Sequence, residues 1–290
     1  MNGQISDILA YGLSTGVLYS LFATGFALVY NSTKILHVAS AAIYVLAAVV
    51  FWWASSIFHL PIILCGVISI VVTMAASLLT DLAVYRPLTR RNASGSILLV
   101  ASIGLMTVIF NLLSFSGLSY QALSGEIPTT YYIWQIVIGG IISAAFLIFL
   151  STSGTGMKLR ALSSSLTLFE TLGNDSGKSR TWIFAWSGFF IASASCLYFY
   201  GLGGIDFNAG VSVLGMSALV NAMVAMILGG VGRYGTCLVG GLILGLVQQV
   251  LISLLPSDKL NWLTVATFII LILFLLLRPQ GIAGNKRRVL

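Results

Sequence analysis

The chain has 290 residues, of which 58% are hydrophobic and only 7% are charged, and its mean hydropathy is +1.03. This composition leaves too little polar surface to cover a soluble globule, so it excludes that class and predicts a polytopic membrane protein. The net charge of +7 does not indicate a nucleic-acid partner. The basic residues lie in short segments between apolar runs, where they act as topology determinants in a chain surrounded by lipid.

Nine apolar runs approach the length of about 20 residues that a membrane-spanning helix needs. They cover approximately residues 5–30, 38–57, 62–84, 97–115, 131–150, 182–202, 211–228, 237–255 and 262–277. We therefore predict an all-α membrane protein with about nine spans in a single transmembrane domain, residues 1–290. Eight to ten spans remain open, because residues 31–37 and 203–210 could each form an aqueous loop or a bend buried in protein.

The orientation follows from the distribution of Lys and Arg. If residues 154–180 are cytoplasmic, alternation of nine spans places thirteen basic residues inside and only Lys259 outside. Short cytoplasmic loops carry the excess of basic residues in membrane proteins. We therefore expect the N-terminus outside and the C-terminus in the cytoplasm.

Residues 154–180 form a long polar and basic segment in an otherwise apolar chain. Within it, Leu162, Leu166, Phe169 and Leu172 recur at steps that predict a short amphipathic helix with an apolar edge. An apolar edge outside the bilayer needs a partner surface. The segment is therefore predicted to be a cytoplasmic loop that contacts either another protein or its own membrane domain.

The same segment contains GNDSGKS, from Gly173 to Ser179, which is similar to a nucleotide-binding phosphate loop. That motif needs four residues between its glycines, whereas three separate Gly173 and Gly177 here. The spacing therefore argues against nucleotide binding by this chain. We expect no cofactor, metal or catalytic site in it, and any ATP to be bound by another subunit.

Polar residues within the spans are the candidates for a translocation path. Asn111, Asn221 and Gln248 could line such a path, although hydrogen bonds between helices are the simpler explanation for each of them. The carboxylates lie near the predicted ends of spans, where they do not form a proton path.

Glycines are concentrated in two places. Gly12 and Gly16 lie one turn apart on the first span and predict a face on which another helix packs closely. A second group extends from Gly229 to Gly245, where close packing or a turn with positive φ is the simpler interpretation and a gate or hinge is the alternative. The candidate gate residues are Gly229, Gly230, Gly232 and Gly235.

Five separated blocks resemble the permease subunits of branched-chain amino acid type ABC importers, a family that includes urea and amide permeases. They are GLSTGVLYSLFATGFALVYNSTKILHVASAAIYVLAA, YRPLTRRNASGSILLVASIGL, GMKLRALSSSLTLFETLG, VAMILGGVGRYGTCLVGGLILG and the C-terminal RPQGIAG. The blocks occur in the family's order and cover most of the chain. Where the family usually has Asn, His, Gly and Glu, this chain has His37, Ser40, Ala41 and Ala42, so the resemblance leaves the substrate open.

The resemblance implies a permease in the bacterial inner membrane that forms the path for a small polar solute such as a branched-chain amino acid. It implies three kinds of partner: ATPase subunits that bind and hydrolyse the ATP, a second identical or homologous permease, and an extracytoplasmic solute-binding protein. The chain itself would not be an enzyme. The alternative function is an ion-coupled secondary transporter, which would need carboxylates at the midplane or broken helices in matched halves.

The resemblance also implies that residues 154–180 form the coupling segment. Its apolar edge would dock in a groove of the ATPase, charged residues would set the register at the rim, and a glycine would end the helix as a C-cap. The residues are Leu162, Leu166, Phe169 and Leu172 for the groove, Arg160 and Glu170 for the rim, and Gly173 for the cap. In the alternative interpretation, the segment packs only against its own chain.

Overall fold

The protein is an all-helical bundle in which two very short strands join two of the connections. The computed structural model describes residues 2–114, 121–122, 130–164, 169, 175–202, 204–205, 210–230, 232, 234–256, 262–277 and 281. Its helices are α1 (Asn2–Thr33), α2 (Ser40–Ser56), α3 (Ile62–Thr80), a π-helix (Asp81–Tyr85), α4 (Arg86–Arg90), α5 (Gly95–Ser114), α6 (Tyr131–Thr152), α7 (Gly154–Ser164), α8 (Ser176–Leu202), α9 (Val211–Gly229), α10 (Tyr234–Leu254) and α11 (Leu263–Leu277). The strands β1 (Gln121–Ala122) and β2 (Gly204–Ile205) pair in antiparallel orientation.

Seven helices are long and apolar enough to cross a membrane. They correspond to α1, α3 with its extension to Arg90, α5, α6, α8, α9 and α10. The shorter apolar helices α2 and α11 stand where the second and ninth spans are predicted. The prediction of an all-α polytopic membrane protein is therefore confirmed, and the number of helices agrees closely with it.

Helix α2 is the core of the bundle, packed against α3, α5, α8 and α9. Its 17 residues span only about 26 Å, less than the roughly 30 Å of a hydrocarbon layer. The irregular residues 34–39 lead into it, and the side chains of Ile35, His37 and Ala39 are buried. Non-helical backbone inside a membrane protein is tolerated where protein encloses it. The first break in the sequence is therefore a largely buried bend, on which Lys34 is exposed and has a positive φ of 57°, while Leu36 and Val38 are partly exposed.

The third span extends beyond the end that the sequence predicts. The third apolar run is predicted to end at residue 84, but the helix continues through the π-helix and α4 to Arg90. Tyr85 is fully buried, and Asp81 is held between two arginines. The helix can continue because Asp81 and Tyr85 are buried with polar partners, whereas no residue of the charged end, α4, is buried.

The most extensive helix contact joins α1 and α10. A Cβ atom on Gly16 would lie 2.9 Å from Leu242 Cα, and one on Gly241 would lie 2.6 Å from Ser20 Cα. The hydroxyl of Ser20 also donates a 2.7 Å hydrogen bond across the contact to the Leu238 carbonyl. The close-packing face that Gly12 and Gly16 predict is therefore present, and α10 occupies it.

Every Lys and Arg among the described residues lies at one end of the bundle. This end holds the C-terminal ends of α1, α3 and α6, the N-terminal ends of α8 and α10, and all of α7. The paired strands β1 and β2 lie at the other end. The basic residues here are Lys34, Arg86, Arg90, Arg91, Lys158, Arg160, Lys178 and Arg180.

Substitution of Gly241 by Ala should destabilise the bundle, because the added methyl group would meet the backbone of Ser20. Overpacking of this kind costs about 1–3 kcal/mol. The matched control is Gly104→Ala on α5, where nothing lies within 4 Å of the added carbon. That change should leave stability equal or higher, because Ala favours helix over Gly. Thermal unfolding in detergent compares the two variants, and equal melting temperatures would contradict the close contact.

Candidate functional site

A cavity of about 50 Å³ lies between α1, α2, α8 and α9. Three tyrosines, Tyr19, Tyr44 and Tyr198, contribute to its wall together with the polar side chains of Ser217 and Asn221. The remaining lining residues are apolar: Leu18, Phe22, Leu214 and Ala218. The cavity thus combines hydrogen-bonding groups with an apolar wall, which is the usual character of a small-molecule site.

A polar network joins the cavity wall to α10 and α11. Tyr19 donates a 2.8 Å hydrogen bond to Gln248 Oε1, and the Gln248 amide donates to Asn221 Oδ1 at 3.0 Å. The amide of Asn221 in turn donates to the Tyr19 hydroxyl at 3.3 Å, and Gln248 also donates to Thr267. The hydrogen bonding between helices that the sequence suggests for Asn221 and Gln248 is therefore present. Only Asn221 of the two also lines the cavity.

Two of the tyrosines leave their hydroxyl groups available to the cavity. Within the described part of the chain, neither Tyr44 nor Tyr198 forms a hydrogen bond through its hydroxyl, and the two rings pack against Phe199 in a tilted and an edge-to-face arrangement, respectively. Backbone packing fixes their position, since Ser195 donates a 2.6 Å hydrogen bond to the Tyr44 carbonyl. These two hydroxyls can therefore donate to or accept from a bound solute.

The third candidate for the path, Asn111, lies elsewhere. It is exposed on α5, and its amide donates a 2.8 Å hydrogen bond to the Thr107 carbonyl of its own helix. The structure therefore does not bring Asn111 together with Asn221 and Gln248.

The glycine-rich stretch forms a tight helix connection. A Cβ on Gly240 of α10 would meet the backbone of Ala225 and Gly229 on α9, so these helices touch through their main chains. Gly230 and Gly232 have φ values of 101° and 108°, which other residues rarely adopt. Gly235 lies beside Leu147 of α6. Close packing and a turn with positive φ are thus both present, and the role of these glycines in a gate stays a prediction.

The described part of the predicted coupling segment comprises α7, Phe169 and residues 175–180, which lead into α8. Leu162 and Phe169 are only 4% and 2% exposed and belong to the chain's own main core. Their burial agrees with the alternative interpretation, in which the segment packs against its own chain, and α7 itself lies against α1, α6 and α8. Arg160 lies on the exposed side with Met157, Lys158 and Ala161. Leu166, Glu170, Leu172 and Gly173 lie outside the described residues.

A buried charged cluster at the basic end is a feature that the sequence analysis missed. Asp81 accepts from Arg86 Nε at 2.7 Å and from Arg180 Nε at 2.6 Å, and its side chain is 1% exposed. Arg86 also donates to the Gly177 carbonyl at 3.2 Å and to the Thr181 hydroxyl. From the sequence, Asp81 is expected only to lie near the end of a span, as the other carboxylates are. One feature of the sequence could have indicated the cluster: Asp81 is an acid inside an otherwise apolar run, and Arg86 follows it five residues later.

The exposed start of α8 behaves differently from this buried cluster. Asp175 accepts a 3.1 Å hydrogen bond from the Lys178 backbone N–H, as a helix N-cap does. This backbone hydrogen bond lowers the pKa of the Asp175 carboxyl. The Lys178 ammonium lies 3.7 Å from the same carboxylate, and both side chains are largely exposed. Lys178 therefore belongs to a solvated helix cap.

Comparison with known proteins covers nearly the whole chain. The model of one protein family, described as branched-chain amino acid transport system / permease component, matches residues 8–277. The high-affinity branched-chain amino acid transport system permease protein BraD of Pseudomonas aeruginosa is 26% identical over 96% of this chain and 95% of its own length. The corresponding protein LivH of Escherichia coli is 26% identical over 94% of each chain.

A third relative is similar over most of its length. The probable branched-chain amino acid transport permease protein LivH of Methanocaldococcus jannaschii is 24% identical over 94% of this chain and 91% of its own length. The resemblance found in the five sequence blocks is therefore confirmed. The match over residues 8–277 shows that the chain belongs to the family of permease components of branched-chain amino acid transport systems.

Proposed function

We propose that this chain is the transmembrane permease subunit of a binding-protein-dependent ABC importer and forms the path for a small polar solute such as a branched-chain amino acid. The family match over residues 8–277 carries this proposal. ATP would be bound and hydrolysed by separate ATPase subunits, and this chain would have no catalytic or cofactor site. A second permease, identical or homologous, would complete the membrane domain.

The cavity between α1, α2, α8 and α9 suits a solute with a polar head and an apolar body. The hydroxyls of Tyr44 and Tyr198 and the amide of Asn221 would meet the polar head, and the side chains of Leu18, Phe22 and Leu214 would contact the apolar body. In this proposal the present volume of about 50 Å³ belongs to a closed state, because it holds little more than water. A solute would require the lining helices to separate.

The glycine connection between α9 and α10 is a suitable place for that separation. Its helices touch through backbone atoms at Gly229 and Gly240, and its turn depends on the positive φ values of Gly230 and Gly232. A small rotation here would move Asn221 on α9 relative to Gln248 on α10, and thereby open the hydrogen-bonded triangle beside the cavity. The proposed gate is thus made of Gly229, Gly230, Gly232 and Gly235.

The basic end of the bundle is proposed to face the cytoplasm, as the positive-inside rule requires. The N-terminus would then lie outside and the C-terminus inside. The end with the strands β1 and β2 would face the solute-binding protein. The chain would reside in a bacterial inner membrane.

Helix α7 is proposed to be the coupling helix, contacting the ATPase through its exposed side. Met157 is 54% exposed, and Lys158, Arg160 and Ala161 lie with it on the exposed side. Leu162 and Phe169 would hold the helix against the permease, so that a push on the exposed side moves the bundle. Leu166, Glu170, Leu172 and Gly173 keep their predicted roles in this contact.

The relatives support this function and not the ion-coupled secondary transporter. All those compared are permease components of transport systems by name. The buried carboxylate of Asp81 lies at the basic end, where two arginines bind both of its oxygens. It is therefore not available to bind a coupling ion.

Replacing Asn221 by Leu tests the cavity. The change removes the amide from the cavity wall and from the network, so ATP-driven uptake should fall by about tenfold, the effect of losing about 1.4 kcal/mol of stabilisation. The matched control is Asn111→Leu, which alters an exposed side chain away from the cavity and should keep wild-type uptake. The measurement is solute uptake into proteoliposomes at equal amounts of assembled complex. Equal uptake by both variants would show that the cavity is not part of the translocation path.

A separate experiment tests the coupling side of α7. Met157→Asp puts a charge into the proposed contact, where desolvation makes an unpaired charge costly, so the ATPase should no longer co-purify. Asn92→Asp adds the same charge in the exposed turn after α4 and should leave co-purification intact. Phe169→Asp would not serve here, because Phe169 is buried in the permease itself. Normal ATPase binding by the Met157 variant would contradict the proposed docking side.

A further inference from the structure

Asp81 connects the end of the coupling segment to α3. Its partner Arg180 is the last residue of the segment 154–180 and lies in the first turns of α8, and Arg86 donates to the Gly177 carbonyl and the Thr181 hydroxyl of the same turns. The Asp81 side chain is 1% exposed, so these ion pairs are shielded from water. A buried ion pair with ideal geometry is short and directional. The start of α8 therefore cannot move without moving Asp81.

The π-helix places a second buried side chain next to Asp81. It runs from Asp81 to Tyr85 and is closed by the hydrogen bond from the Arg86 N–H to the Asp81 carbonyl. Its two buried residues are Asp81 and Tyr85. Single π turns within α-helices are rare and are found mainly at functional sites. Here the wide turn joins two polar clusters that would otherwise be separate.

The second cluster holds the entry to α2. The Tyr85 hydroxyl lies 2.8 Å from His37 Nδ1 and donates to the Ser102 hydroxyl at 2.8 Å. Ser102 also accepts from the Ala39 N–H at 2.9 Å, and the Ser40 hydroxyl donates to the His37 carbonyl at 2.6 Å. Tyr85 thus fixes the buried bend and the first residues of α2. One turn further along, α2 places Tyr44 in the wall of the cavity.

Two buried atoms of these clusters have no hydrogen-bond partner among the described residues. They are Nε2 of His37 and Nη2 of Arg180, which both lie beside the ring of Phe184. An unpaired buried polar group is unfavourable and requires an explanation. A second arrangement of the same clusters, in which both atoms form hydrogen bonds, would explain why they are unpaired in this one. An element that transmits movement needs two such discrete arrangements.

We propose that Asp81 is a positioning residue for transport. When the ATPases move the coupling segment, Arg180 pulls Asp81, the π turn carries the displacement to Tyr85, and Tyr85 shifts the bend and α2 beside the cavity. This inference rests on the proposed function, because it requires an ATPase acting on α7. The π-helix would thus transmit the movement that links ATP hydrolysis to opening of the path.

The experiment measures the number of solute molecules transported per ATP hydrolysed. The full complex with its ATPase and solute-binding protein is reconstituted in proteoliposomes. Asp81→Asn should keep ATP hydrolysis within about twofold of wild type and lower the transported solute per ATP by about tenfold. Tyr85→Phe removes one hydroxyl, keeps both ion pairs of Asp81, and should lower the same ratio. The matched control is Arg91→Gln, which removes a charge in the exposed turn after α4 and should keep the wild-type ratio.

The ratio separates positioning from simple stabilisation. A variant that only lowers the amount of folded complex reduces uptake and hydrolysis together and keeps the ratio, and that result would overturn the inference. If the Asp81 variant does not assemble, Tyr85→Phe decides, and a wild-type ratio for it overturns the inference as well. The failure of the wild-type complex to couple uptake to ATP would instead refute the proposed function.

Discussion

The bend before α2 can lie inside the bundle only because protein encloses most of it, including Ile35, His37 and Ala39. Ser102, Tyr85 and Ser40 supply the hydrogen bonds, and the start of α2 is held with the bend. Since α2 is short and almost wholly buried, the surrounding helices must cover it. The arrangement of α3, α5, α8 and α9 around one helix follows from that requirement.

The same constraint explains why polar residues occur at so few places and in groups. At the basic end, Asp81 satisfies two arginines, and beside the cavity Tyr19, Asn221 and Gln248 satisfy one another. The glycine contacts of α1 and α9 with α10 bring Tyr19, Asn221 and Gln248 within reach of one another, because they remove the side chains that would separate these helices. Close packing and buried polar groups therefore depend on each other in this fold.

Hydropathy was sufficient to predict the helices and their class, because a bilayer demands long apolar runs. The contact at Gly12 and Gly16 was also predictable from spacing. The burial of Leu162 and Phe169 was not, since the sequence shows an apolar edge without showing which surface covers it. The Asp81 cluster was missed for a related reason: its partner Arg180 lies 99 residues away, and no local pattern joins them. The cavity unites residues of four helices, so only the tertiary structure could reveal it.

The central claim is that ATP, and not an ion gradient, drives solute through this chain. The direct measurement is uptake of radiolabelled leucine by proteoliposomes that contain the permease with its ATPase and solute-binding protein. The account predicts uptake that requires ATP and persists when ionophores abolish all ion gradients. Uptake by the permease alone, driven by an ion gradient without ATP, would contradict it.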